Sequence, residues 1–169
     1  MISVLEALCD TPTLTLKTTR GTRQEYDVPG LVALLASFSS PQSHVIIEEA
    51  QAMPGQGTRS MFTIGLGMGV WLGILGALGL AHTRVRPGVW KRTLGLASDK
   101  EQARLRAMQL YPSADLRRKK DHGRAEALLL AHYGWQRMHD PHSSCGARDA
   151  DKADREWSDT NERCTGDAP

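Results

Sequence analysis

Val45-Ile46-Ile47-Glu48-Glu49-Ala50 is a β-branched run that ends abruptly in two carboxylates. It follows the turn-forming Ser39-Ser40-Pro41, and a short apolar run bounded by polar residues reads as a buried strand. A carboxylate at the end of such a strand is costly unless something pairs with it, and a divalent cation held by oxygen ligands is one such partner. A helix cap or a salt bridge is the plainer alternative.

Around this strand the chain reads as alternating strands and helices. Thr13-Leu14-Thr15-Leu16 alternates polar and apolar side chains within a half-buried strand over 11–19, and Arg20-Gly21-Thr22-Arg23 makes a turn after it. Asp27 is placed to cap a helix with Pro29 in its first turn and an apolar face of Leu31, Val32, Leu34 and Leu35. Downstream, His82-Thr83-Arg84-Val85-Arg86-Pro87 is a short strand stopped by proline, and Val89-Trp90-Lys91-Arg92 forms a short helix. Ser98-Asp99-Lys100-Glu101 has the form of a capping box, opening a helix that runs to about Leu110.

A second stretch carries chemistry. Arg118-Lys119-Lys120-Asp121-His122-Gly123-Arg124-Ala125-Glu126 sets a carboxylate and an imidazole at the mouth of the apolar helix Ala127-Leu128-Leu129-Leu130-Ala131, behind a basic cluster. His122 and Glu126 are four apart and share a helix face, whereas Asp121 suits the N-cap just outside it. Carboxylates beside basic residues suggest a metal site that meets phosphate.

The charge distribution fits that suggestion. The 169 residues carry a net charge of only +2, yet from Arg84 to Arg137 there are 13 Lys/Arg against 5 Asp/Glu. Concentrated positive charge is what phosphate-backbone binding needs, because each neutralised phosphate releases a counterion; a solvated helical face is the bland alternative. Cys9, Cys145 and Cys164 form neither a CxxC pair nor a Cys/His cluster with zinc spacing, so a disulfide scaffold or zinc module is not expected. From about Met138 the chain turns polar, acidic and poor in aliphatic residues, so residues 138–169 are expected to be a disordered tail without catalytic residues, the scattered His132, His139 and His142 notwithstanding.

Met61 to Ala81 contains no charged side chain, and Gly65, Gly69 and Gly73 repeat the small-xxx-small spacing of packed membrane helices. Six glycines, Gly65, Gly67, Gly69, Gly73, Gly76 and Gly79, dilute its hydrophobicity, and no signal peptide is evident. The favoured reading is the long buried helix of a soluble α/β domain; a small membrane protein anchored by residues 61–81 is the rival.

In this order and at about this spacing, Ile47 to Gly57, Val89-Trp90-Lys91-Arg92, Leu94-Gly95-Leu96 and Arg118 to Leu128 resemble the RuvC-type Holliday-junction resolvases of the ribonuclease H-like superfamily. The similarity is to the phage, bacterial and plant-chloroplast branch of that group, and runs from about Asp10 to Arg137. The resemblance implies an α/β fold with a mixed sheet flanked by helices over residues 1–137. It further implies a cytoplasmic, homodimeric endonuclease of bacterial or phage origin that cuts four-way DNA junctions with Mg²⁺, or Mn²⁺ in its place. By position Glu48 matches the family's second-strand glutamate and Glu126 its last helix carboxylate. Asp121 and His122 fall where a further ligand stands, and the choice between them is open. Lys91 and Lys100 match basic positions near the scissile phosphate. Arg59 and Phe62 follow a loop that faces the junction centre in the family, and Arg92, Arg118, Lys119 and Lys120 complete the expected DNA-binding set.

One departure matters. Family members open with a strand whose Asp is a primary metal ligand, and Met1 to Pro12 resembles the segment just after it, with only Glu6 and Asp10 nearby. Either the first strand is absent from this chain or the metal site is incomplete, and in both cases the alternative is a junction-binding protein that does not cut.

Overall fold

The computed structural model describes residues 5–51, 54–96 and 100–139. The chain is a mixed α/β protein with two small sheets and five α-helices among these residues, and it divides into two compact units.

The first unit comprises the residues up to Cys9, Val45–Glu49 and the chain from His82 onward. Its sheet pairs β3 (His44–Glu48) with β4 (Ala81–Val85). The Glu49 N–H donates to the Val85 carbonyl at 2.9 Å, joining the C-terminal ends of both strands, so the two run parallel. Three helices follow: α3 (Pro87–Thr93), α4 (Lys100–Leu110) and α5 (His122–His139), with a 3-10 turn at Lys119–Asp121 before the last. Pro87 sits in the first turn of α3, where a missing N–H costs nothing. At its far end Gly95, at φ +64°, allows the Leu96 N–H to reach back to the Lys91 carbonyl at 2.8 Å, a Schellman stop.

Trp90, Leu116 and Leu129 are fully buried at the centre of this unit. On α4 the buried faces are alanines, Ala103 and Ala107 one turn apart, which lets α5 approach closely with Ala125, Leu128 and Leu129. Arg104 ties α4 to the loop beyond it, donating to the Leu116 carbonyl at 2.6 Å and to both oxygens of Glu101. At Gly134 the approach of α5 to β3 is so close that a Cβ would collide with the Ile46 side chain.

An aromatic ladder links α4's end to α5. The Tyr111 hydroxyl lies 2.9 Å from His132 Nδ1, and the His132 and Trp135 rings stack, as do those of Trp135 and His139. Burial, and then the positive Arg106, hold the His132 pKa below its usual 6.5. Neutral His132 is therefore favoured in the folded state, so its contribution to stability is present above pH 6.5 and is lost as the pH falls through the lower folded value. Denaturant unfolding between pH 7.5 and 5 should show this decline, and His132→Gln should flatten it; an unchanged slope in the variant would count against the assignment.

The second unit comprises Asp10–His44 and Ala50–Ala81. β1 (Thr13–Thr18) and β2 (Gly21–Tyr26) form an antiparallel hairpin in which Leu14 faces Glu25 and Leu16 faces Arg23. Contrary to the half-buried strand expected, every residue of β1 is exposed, because among the described residues this ribbon has no third strand. The Asp27 carboxylate caps α1 (Val28–Ser37) by accepting from the Gly30 N–H at 3.0 Å, as its sequence predicts.

The glycine-rich segment forms α2 (Thr58–Ala77), which stops four residues short of Ala81. Gly79, at φ +62°, provides the break, and the Leu80 N–H closes a Schellman motif on the Leu75 carbonyl at 2.9 Å. Those last residues are thereby freed to begin β4. By length and composition alone α2 is still long and apolar enough to cross a membrane. One of its faces is covered, with Gly67, Ile74 and Leu75 buried and the Tyr26 hydroxyl seated directly on Gly67. The other face is exposed and apolar: Phe62, Gly65, Leu66, Gly69, Gly73 and Gly76 follow one stripe.

The antiparallel and parallel strand pairs anticipated from the sequence both form, but as two two-stranded sheets rather than one. The capping box at Ser98 and most of the acidic tail, residues 140–169, lie outside the described residues.

Candidate active site

β3 delivers Glu48 to an exposed position at its C-terminal end. Its carboxylate accepts a hydrogen bond from the Trp90 indole, Nε1 to Oε2 at 2.8 Å. The next residue of α3, Lys91, reaches the other side: its Nζ lies 2.7 Å from Glu126 Oε1, both side chains about a quarter exposed. The same ammonium stands 5.2 Å from the centroid of the Trp90 ring, within range of a cation–π attraction. Two consecutive residues of one short helix thus engage the two carboxylates that the resemblance singles out. Just beyond Glu48, the Arg86 guanidinium lies 3.6 Å from the Glu49 carboxylate.

Asp121 is placed differently. Its side chain is only 3 % exposed, and the Arg118 guanidinium and backbone N–H donate to its two oxygens at 2.8–3.3 Å. These bonds hold its carboxyl below the usual carboxylate range despite the opposing effect of burial. The geometry makes it the acceptor of a capping box for the 3-10 turn, close to the cap that its position in the sequence suggests.

His122 opens α5 one turn before Glu126, half-buried, with its Nδ1 buried and lacking a hydrogen-bond partner. A buried polar atom of this kind is unusual in a folded protein. On α4, Arg104, through its hydrogen bonds, holds the Glu101 carboxyl below its usual range, and His122 and Lys119 assist electrostatically.

The expected DNA-contacting residues divide between the units. Lys91, Arg92, Lys100, Arg118, Lys119 and Lys120 belong to the first, and all but the half-buried Lys91 are exposed. Arg118 is committed to Asp121 while keeping half its side chain in solvent. Lys100 opens α4, on a different element from the Lys91–Glu126 pair. Arg59 and Phe62 stand in the first turns of α2 in the second unit, Phe62 being 72 % exposed.

Mg²⁺ is commonly held by one or two carboxylates, with waters and substrate phosphates completing its octahedron. The donor chemistry of Glu48 and Glu126 suits that pattern. Among the described residues, however, no three His, Cys, Asp or Glu side chains gather into a cluster, so any such ion would depend heavily on water and phosphate oxygens.

Sequence reasoning passed over Trp90. Its place beside the candidate lysine was visible in the sequence, but the acceptor of its N–H, 42 residues away, was not.

No family model matches the chain. Over 89 residues, half of this chain, it is 37% identical to a protein of Chlamydomonas reinhardtii named Holliday junction resolvase MOC1, chloroplastic. The matched stretch covers a tenth of that relative's length. By its name this relative is a chloroplast protein rather than a bacterial or phage one.

Proposed function

We propose that this chain is a structure-selective endonuclease of the RuvC-like, ribonuclease H-like type that binds four-way DNA junctions and hydrolyses phosphodiesters in them. The observation that carries the reading is the joint engagement of Glu48 and Glu126 by Trp90 and Lys91, in a chain whose basic residues concentrate in the same unit. Its similarity to the chloroplast resolvase supports the choice of substrate.

In this reading Glu48 and Glu126 would hold Mg²⁺, for which Mn²⁺ substitutes, and His122 opens the helix that carries Glu126. When bound, such an ion supplies positive charge at the scissile phosphate and acidifies water. Lys91 contributes a further positive charge between carboxylate and phosphate. Arg92, Lys119 and Lys120 track the DNA backbone. Asp121 and Arg118 build the turn from which α5 starts.

Paired, symmetrical nicks need two centres related by a two-fold axis, which an isologous homodimer provides. The exposed stripe of α2 is the surface we assign to it: added Cβ atoms at Gly65, Gly69, Gly73 and Gly76 would meet nothing within 4 Å, leaving room for a second backbone to come close. Gly69→Leu should therefore leave the monomer folded while shifting sedimentation from dimer to monomer; a dimer unaffected by this change places the interface elsewhere.

The decisive experiment is incubation of the purified chain with a labelled synthetic four-way junction and Mg²⁺, with binding and nicking resolved separately. Symmetrical nicks support the enzyme. Tight binding without nicks favours the second reading, a junction-binding protein that does not cut, for which the lack of a three-donor cluster among the described residues speaks. Loss of both, with partition into detergent, would turn attention to α2 as a membrane anchor.

A further inference from the structure

Trp90 is the largest fully buried side chain among the described residues. A buried indole must find an acceptor for its N–H, and a backbone carbonyl would serve. Here the acceptor is the carboxylate of Glu48, 42 residues away in sequence and at an exposed strand end. Among the described residues Glu48 has no other side-chain partner, so one oxygen is fixed by the indole and the other remains available.

The face of the same ring carries the Lys91 ammonium, which in turn holds Glu126. A rigid, completely buried ring therefore relates both carboxylates through two different interactions, an edge donor and a π face. Residues that orient ligating carboxylates in this way restrict their rotamers before any ion or substrate arrives.

We infer that Trp90 is a positioning residue, its indole N–H aiming Glu48 and its ring seating Lys91 against Glu126, so that one side chain sets the geometry of the whole centre. The inference rests on the proposed nuclease reading for Mg²⁺ binding at Glu48 and for turnover; the hydrogen bond that aims Glu48 stands apart from it.

The test uses the full chain with 5-fluorotryptophan incorporated, the resonance of position 90 being identified by its absence from Trp90→Phe. Titration with Mg²⁺ alone, followed by ¹⁹F NMR, should shift the Trp90 signal saturably, and Glu48→Gln should abolish that shift. In parallel, Trp90→Phe should retain junction affinity while the nicking rate constant falls about 10–100-fold, with partial recovery at raised Mg²⁺. A Trp90 signal indifferent to Mg²⁺, or a Trp90→Phe protein that nicks at the unaltered rate, overturns the inference. A saturable, Glu48-dependent shift in a protein that nicks no junction leaves the inference standing and removes the nuclease reading instead. Assigning the other three resonances from Trp71→Phe, Trp135→Phe and Trp157→Phe identifies the Trp90 signal by elimination, so poor folding of Trp90→Phe does not obscure the NMR arm.

Discussion

Glu48→Gln should lower the rate of junction nicking by at least about 100-fold, the scale seen when a group that stabilises developing charge is removed, while junction affinity stays within about twofold. The amide keeps the volume of the side chain and still offers an oxygen to the Trp90 indole, so the strand end is expected to remain in place. What is lost is negative charge at the one acid of the pair that no lysine neutralises. Glu126→Gln should give a fall of similar size but with an added signature: Lys91, now without its carboxylate partner, should strengthen DNA binding and steepen its dependence on salt. Rates measured under single-turnover conditions, with affinity taken from gel shifts in Ca²⁺, separate the two effects. Equal nicking by wild type and Glu48→Gln would remove Glu48 from the reaction.

Gly134→Val should cost about 1–3 kcal/mol of stability, the usual range for forcing extra methyl groups into a filled core. The reason is local: even the first added carbon falls inside contact distance of the Ile46 Cγ1 and Cδ1 atoms. Helix propensity works the other way, because glycine in a helix interior is itself about 1 kcal/mol worse than alanine. Gly134→Ala is therefore the milder change, and pairing either variant with Ile46→Ala should recover part of the loss. Urea midpoints at constant m-value provide the measurement, and additivity of the two substitutions would mean that the contact does not matter. Ile46 stands two residues before Glu48 on β3, so a strand pushed away here should also disturb the centre.

The parts of this fold that are written locally could be read from sequence. Asp27 caps its helix because a side-chain acceptor three residues before an N–H is a matter of chain geometry alone. The β-branched run becomes β3, with its carboxylate at the end, for a similarly local reason. The stop of α2 was legible only in part: several glycines lie in that segment, and which of them adopts positive φ depends on the burial of Leu75 and Leu80 that closes the Schellman motif. The half-buried pattern of β1 also misled, since alternation records what a strand is able to cover rather than whether anything covers it. At the centre, Glu48, Lys91 and Glu126 were named from resemblance, but the indole joining their surroundings acts across 42 residues of chain and has no local signature. Asp121 could be read two ways from its position, and the fork of Arg118 around it is a tertiary outcome.

The Lys91–Glu126 pair has a consequence for the speed of encounter. Two bare carboxylates would repel an approaching polyanion at the very surface it must reach. With Glu126 already matched by an ammonium 2.7 Å away, the opposition at short range falls largely to Glu48, while the basic residues of the same unit attract from farther off. Long-range attraction of this kind raises the association rate and fades once added salt shortens the Debye length to about 10 Å or less. In the proposed reading the ion pair thus keeps an acidic centre from acting as a barrier to incoming DNA, and makes arrival, as much as chemistry, a property of residue 91.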